Sequence, residues 1–156
     1  MYRVDKDQPR ELTDVPQSSV GAPCPMLFVG EHSLLLAYYL QDHEVAGEDR
    51  CAVVSFKRAY VHMFGPPNDE AFSGHPLAAR GLEPYSAYEI EHSSWVNELE
   101  RMNSVHPYHR PERFASYKHY IFSFHDTTFE CVAEGFTVSE HAGYPSAVLI
   151  RVQSEA

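Results

Sequence analysis

Cysteine is scarce in this 156-residue chain, and its three copies follow no pairing pattern. Cys24, Cys51 and Cys131 are an odd number without C-x-x-C spacing, which excludes a disulfide framework and a thiolate zinc site. Cys131 follows Glu130, a setting that disfavours a thiolate, and all three read as reduced, mostly packed thiols. Basic residues are also few: 12 Lys and Arg stand against 22 Asp and Glu, for a formal charge of −10. They are scattered rather than arranged in a stripe. That excludes a nucleic-acid partner and disfavours anionic membrane surfaces, since both need clustered positive charge.

Long apolar runs are missing as well. The stretches 34–40 and 52–56 fall far short of the roughly 18 residues that a membrane span requires. Residues 1–7 contain no apolar core of a secretory signal, and the expected location is the cytoplasm. The chain has no G-x-S-x-G elbow, P-loop or G-x-G-x-x-G turn, and neither H-E-x-x-H nor H-x-H. The commonest nucleotide-dependent enzymes and zincins are thereby set aside, and no cofactor is identified.

What the sequence does have is apolar residues at 44%, aromatics at 13% and 10 histidines. The first two suffice for a core in one domain of this length. Histidine titrates near neutrality, moves protons and binds metals, so its excess raises the expectation of a site.

Residues 1–20 are polar, with Pro9, Pro16 and Ser18-Ser19, and read as a mobile arm before a single β-rich domain over 21–156. The run 33–40 reads as a buried strand, 44–50 as a turn, and 51–64 as one long strand that Lys57-Arg58 interrupts. Residues 65–85 hold four prolines and three glycines, with room only for a short helical turn near 69–72. Long irregular segments of this kind tend to be functional. A half-buried strand over 86–92 follows. Ser93 and Ser94 then offer caps for a helix over about 94–103, whose Trp95, Leu99 and Met102 share a stripe. Another short helical turn begins at Pro111 and carries Phe114 and Tyr117. Residues 118–135 form a β-hairpin, and 146–152 read as a closing strand. The sum is an α+β, mainly β fold: an antiparallel curled sheet or small barrel of five or six strands with one packed helix.

The hairpin alternates cleanly. With a two-residue turn at Asp126-Thr127, His125 faces Thr128, Ser123 faces Glu130, Ile121 faces Val132 and His119 faces Glu134. Tyr120, Phe122, Phe124, Phe129, Cys131 and Ala133 take the other side, which must be core. On the mixed side, His125 and Glu130 are diagonal neighbours within reach of each other. Ile121 and Val132 between the titratable groups imply that a ligand, a loop or a second subunit covers that face.

Two functional expectations follow. One is a non-catalytic module that forms a homo-oligomer through the 65–85 loop and the hairpin face. The other is a small-molecule-binding enzyme with a His/Glu acid–base or metal site lined by His62, His75, His125 and Glu130. In that case His125, Glu130 and His75 are the catalytic candidates. His62, His106 and His109 are the metal candidates, with His75, His92 and His125 available to complete a set. His32, His43 and His141 lie in turn-like surroundings and are expected to be exposed.

Overall fold

The computed structural model describes residues 2–41 and 48–155. His43 lies outside them, as does most of the turn expected over 44–50. Among the described residues, nine strands and two α-helices run in the order β1 (Gln8–Glu11), β2 (Met26–Gly30), β3 (Ser33–Tyr39), β4 (Arg50–Lys57), β5 (Val61–Gly65), β6 (Ala87–Glu91), α1 (Ser94–Asn103), β7 (Lys118–Ser123), β8 (Thr128–Ala133), β9 (Gly135–Ala142) and α2 (Pro145–Glu155). Short 3-10 turns lie at Phe72–Gly74, Ala78–Arg80 and Pro111–Ser116. Every strand pairing is antiparallel. One sheet has the order β1-β6-β7-β8-β5 and the other β2-β3-β4-β9. The fold is mainly β, as expected, but two sheets face each other rather than closing into a barrel.

Three apolar layers hold these elements. Between the sheets, Leu34, Leu36 and Tyr38 of β3 and Val54 and Phe56 of β4 meet Tyr120, Phe122, Phe129 and Cys131 of the hairpin. The alternate residues Leu35, Ala37, Cys51 and Val53 point the other way, where Val148 and Leu149 of α2 cover them. Because β3 and β4 are buried on both faces, their sequences are continuous apolar runs instead of alternating ones. The outer face of the five-stranded sheet carries Tyr88, Ile90, Ile121 and Val132, covered by Tyr2, Trp95, Leu99, Phe72, Leu77 and Phe114.

Several local expectations are corrected. The stretch 146–152 is helix, not strand. Pro145 opens α2, the Val148 N–H bonds to Tyr144 O at 2.9 Å, and Val148 and Leu149 are buried together. The need to cover the four-stranded sheet overrides the β-propensity of Val148, Ile150 and Val152. The long strand 51–64 is two strands in different sheets. The chain crosses between them through Arg58 at φ 48°, where the sequence reading had placed an interruption. Met102, assigned to the buried stripe of α1, is 61% exposed, and Val96 is buried beside Trp95 and Leu99 instead.

The N-terminal residues, expected as an arm, are laid on the domain. β1 pairs with β6, and Tyr2 and Asp7 are buried. Asp7 accepts from the Asp5 N–H and from both the N–H and Oγ–H of Ser94, at 2.7–2.9 Å. It is thus a second cap on α1, a carboxylate beside the hydroxyl of Ser93, whose Oγ accepts from the Val96 N–H.

The hairpin is present, but its register differs by two residues. Ser123 pairs with Thr128, Ile121 with Glu130 and His119 with Val132. The loop is therefore four residues long, with the Phe124 N–H bonded to Thr127 O at 2.8 Å. Thr127 suits a two-residue type I′ turn poorly, and the longer loop avoids placing it there. A shift of two leaves each side chain on its expected face.

Candidate functional site

The register shift decides which histidine reaches Glu130. Under the expected pairing its diagonal neighbour is His125. With Glu130 opposite Ile121, the diagonal position belongs to His119. His119 Nε2 lies 2.8 Å from Glu130 Oε2, and His75 Nε2, from the 65–85 segment, lies 2.6 Å from Oε1. The Tyr2 hydroxyl donates to Oε2 at 2.9 Å. One carboxylate from β8 thus gathers the N-terminus, the Pro/Gly-rich segment and β7.

The outer nitrogens of both rings fix their roles. His75 Nδ1 accepts the Leu77 N–H at 3.1 Å, so it carries no proton and Nε2–H must be the donor to Glu130. His119 Nδ1 lies 2.9 Å from Ser93 Oγ, whose hydroxyl can donate to the ring or accept from it. His75 is therefore held as the Nε2–H tautomer, whereas the Ser93 hydroxyl can turn to donate to His119 Nδ1 or accept from it. Burial pushes the Glu130 carboxyl up, but the hydrogen bonds from His119 and His75 outweigh it and hold the group at about 2. That direction stands with a neutral His75, because each donated hydrogen bond favours the ionised form. Burial and then the Glu130 charge push the Tyr2 phenol far above its usual range, so it remains a donor. Burial, reinforced by Glu130, also pushes the Cys131 thiol well up, which leaves it inert.

A cavity of about 470 Å³ opens beside this cluster, between the edge strand β5 and residues 66–76. Met63, Phe64, Pro66, Pro67, Ala71 and Pro76 supply its apolar wall, and His75, Thr128 and Glu130 its polar lining. Thr128 Oγ1 donates to Pro67 O at 2.9 Å and fastens that wall to β8. A depression of about 480 Å³ between α1 and β6–β7 is lined instead largely by polar and charged side chains such as Glu89, Glu91, His92 and Asn97. A crevice between the sheets, near Tyr38 and Phe124, holds only about 40 Å³.

His125 belongs to a different constellation. Its Nδ1 lies 3.0 Å from Asp69 Oδ2, and the Tyr85 hydroxyl donates to the same oxygen. Tyr85 holds a left-handed backbone at φ 60°. The bond from Tyr85 lowers the Asp69 pKa, and the same bond raises that of Tyr85. Of the three catalytic candidates, the structure therefore brings His75 and Glu130 together and gives His125 other partners.

The metal candidates do not converge. His62 sits on β5 opposite Cys131. His106 Nδ1 accepts the Tyr108 N–H at 3.0 Å. Both ring nitrogens of His109 are taken, by Glu100 at 2.6 Å and Asn103 at 2.9 Å. Among the described residues no group of three or more His, Cys, Asp or Glu is arranged to hold a metal ion. Nor does any helix among them have the length and apolarity to cross a membrane.

Sequence reasoning placed His119 on the correct face but gave it the wrong partner, and it passed over Tyr2, Asp69 and Tyr85. The poor turn residue Thr127 was the one signal that could have corrected the register. Nothing in the local pattern at 1–7 marks Tyr2 as a partner of a residue 128 positions away. No protein-family model, curated protein or solved structure matches this chain.

Proposed function

We propose that the protein binds a small molecule in the cavity between β5 and residues 66–76. The observation that carries this reading is an apolar-walled space of about 470 Å³ with an ionised, fully oriented carboxylate in its lining. Ligand sites commonly combine a volume of this order with apolar walls and a few convergent polar groups. Binding is favoured over acid–base chemistry because both nitrogens of His75 are already bonded, and a carboxylate held at about 2 is too weak a base near neutrality. A general base needs a free lone pair facing its substrate.

The reading as an assembly of copies draws less support. The aromatic face of the hairpin packs on the other sheet, and its second face is covered by Tyr2, Trp95 and the 65–85 segment. Of the expected interface, only the exposed part of that segment is left for a second copy.

The test is a fragment screen followed through the methyl resonance of Met63. Small apolar fragments should shift that methyl, and Phe64→Ala, which removes one wall, should weaken the hits at least severalfold. Tyr108→Ala, an exposed site outside the cavity lining, should leave them unchanged. A Met63 methyl that no fragment moves would end this reading.

A further inference from the structure

Resting on the cavity as a binding site, we infer that its ligand is a small aliphatic or aromatic amine, bound as the ammonium ion. The argument is an inventory of hydrogen-bonding groups. Glu130 Oε1 accepts one bond, from His75, and a carboxylate oxygen can accept two. Thr128 Oγ1 has spent its proton on Pro67 O and retains a lone pair. Neither nitrogen of His75 is free, since Nε2–H serves Glu130 and Nδ1 serves the Leu77 N–H.

On the 66–76 side of the wall the backbone is also short of donors. Pro66, Pro67 and Pro76 have no N–H. Those of Ala71, Gly74 and His75 are engaged by Asn68 Oδ1, Ala71 O and Phe72 O. The polar side chains of the cavity therefore offer acceptors and one negative charge. An ammonium group is the complementary head, because it has donors, no acceptor and a positive charge. A carboxylate or phosphate would find no free side-chain donor and would be repelled by Glu130. A neutral alcohol could donate once but would leave the charge unmatched. The Phe64 ring and the prolines suit a short apolar body, and an aromatic face also attracts a cation.

The experiment is calorimetry on the full chain with three phenyl-bearing probes that differ in their polar group: 2-phenylethylamine, 2-phenylethanol and benzoate, each followed in parallel at the Met63 methyl. The amine should bind at least 10-fold more tightly than the alcohol, and benzoate should not bind. Thr128→Val, which removes one acceptor and keeps the shape, should weaken the amine severalfold and the alcohol less. Equal or tighter binding of the alcohol, or any preference for benzoate, would overturn the amine assignment while leaving the cavity as a binding site. If none of the three moves the Met63 methyl at millimolar concentration, the amine assignment and the binding reading fall together.

Discussion

An ionised carboxylate that is 4% exposed must be solvated by the protein itself. Glu130 obtains this from three donors contributed by parts of the chain that meet nowhere else in sequence: Tyr2, His75 and His119. Its folded pKa lies below the unfolded value, so the unfolded chain takes up more protons as the pH drops. The stabilisation is complete above about pH 4.5 and is lost as pH falls towards about 2. Asp7 adds to the same trend: burial raises its carboxyl, but backbone hydrogen bonds from Asp5 and Ser94 prevail and lower it. Acid unfolding followed by circular dichroism should therefore be steep below pH 4.5. In Glu130→Gln that slope should become shallower. An unchanged slope would mean that Glu130 is not ionised in the folded chain. Tyr2→Phe removes one donor and keeps the ring, and should cost about 1–2 kcal/mol in urea titration.

Elements were legible in the sequence where burial on one or both faces left a strong pattern. β3, β4, β6, the two hairpin strands and α1 all carry such a pattern. The strands not foreseen, β1, β2 and β9, each lie at the edge of a sheet. Edge strands pack less and expose polar side chains, so their alternation is weak. β9 keeps only Phe136 and Val138 against the core. The second helix was masked by a composition suited to strands, although Pro145 stands at a favoured first position. The two assignments make opposite demands on its residues. A strand would put Val148, Ile150 and Val152 on one face, whereas the helix buries Val148 and Leu149 and leaves Ile150 70% exposed. Leu149→Ala should therefore cost about 2–4 kcal/mol, and Ile150→Ala less than about 0.5 kcal/mol. A reversal of that order in equilibrium unfolding would restore the strand. The candidate site was legible to the level of faces. Alternation fixed which residues share a side, but partner choice needed the loop length, and a two-residue error there exchanged His119 for His125.

Across the whole molecule, the two outer faces of the sandwich are covered in different ways. α2 closes the four-stranded sheet with residues close in sequence to its neighbour β9. The other face is closed by α1, the 65–85 segment and the first seven residues, joined through polar contacts of long sequence separation. Tyr2 stacks on Trp95 with centroids 5.6 Å apart and donates to Glu130. Asp7 caps α1, and Arg80 donates to the carbonyls of Asp5 and Asp7 at 2.8 and 2.9 Å. Deleting residues 1–7 would strip Trp95 of its stacked ring, leave Glu130 with two donors and remove the Asp7 cap from α1. By the usual cost of unpaired buried groups and a lost cap, the deletion should destabilise the fold by about 3–5 kcal/mol. The loss should also be one-sided. In native-state hydrogen exchange the amides of α1 and of residues 72–80 should exchange faster, while α2 and β3 lose protection only as far as global stability falls. Uniform loss over both faces would show that the N-terminus supports the sandwich as a whole. Unchanged protection in α1 would show that its contacts with Asp7 and Tyr2 contribute little.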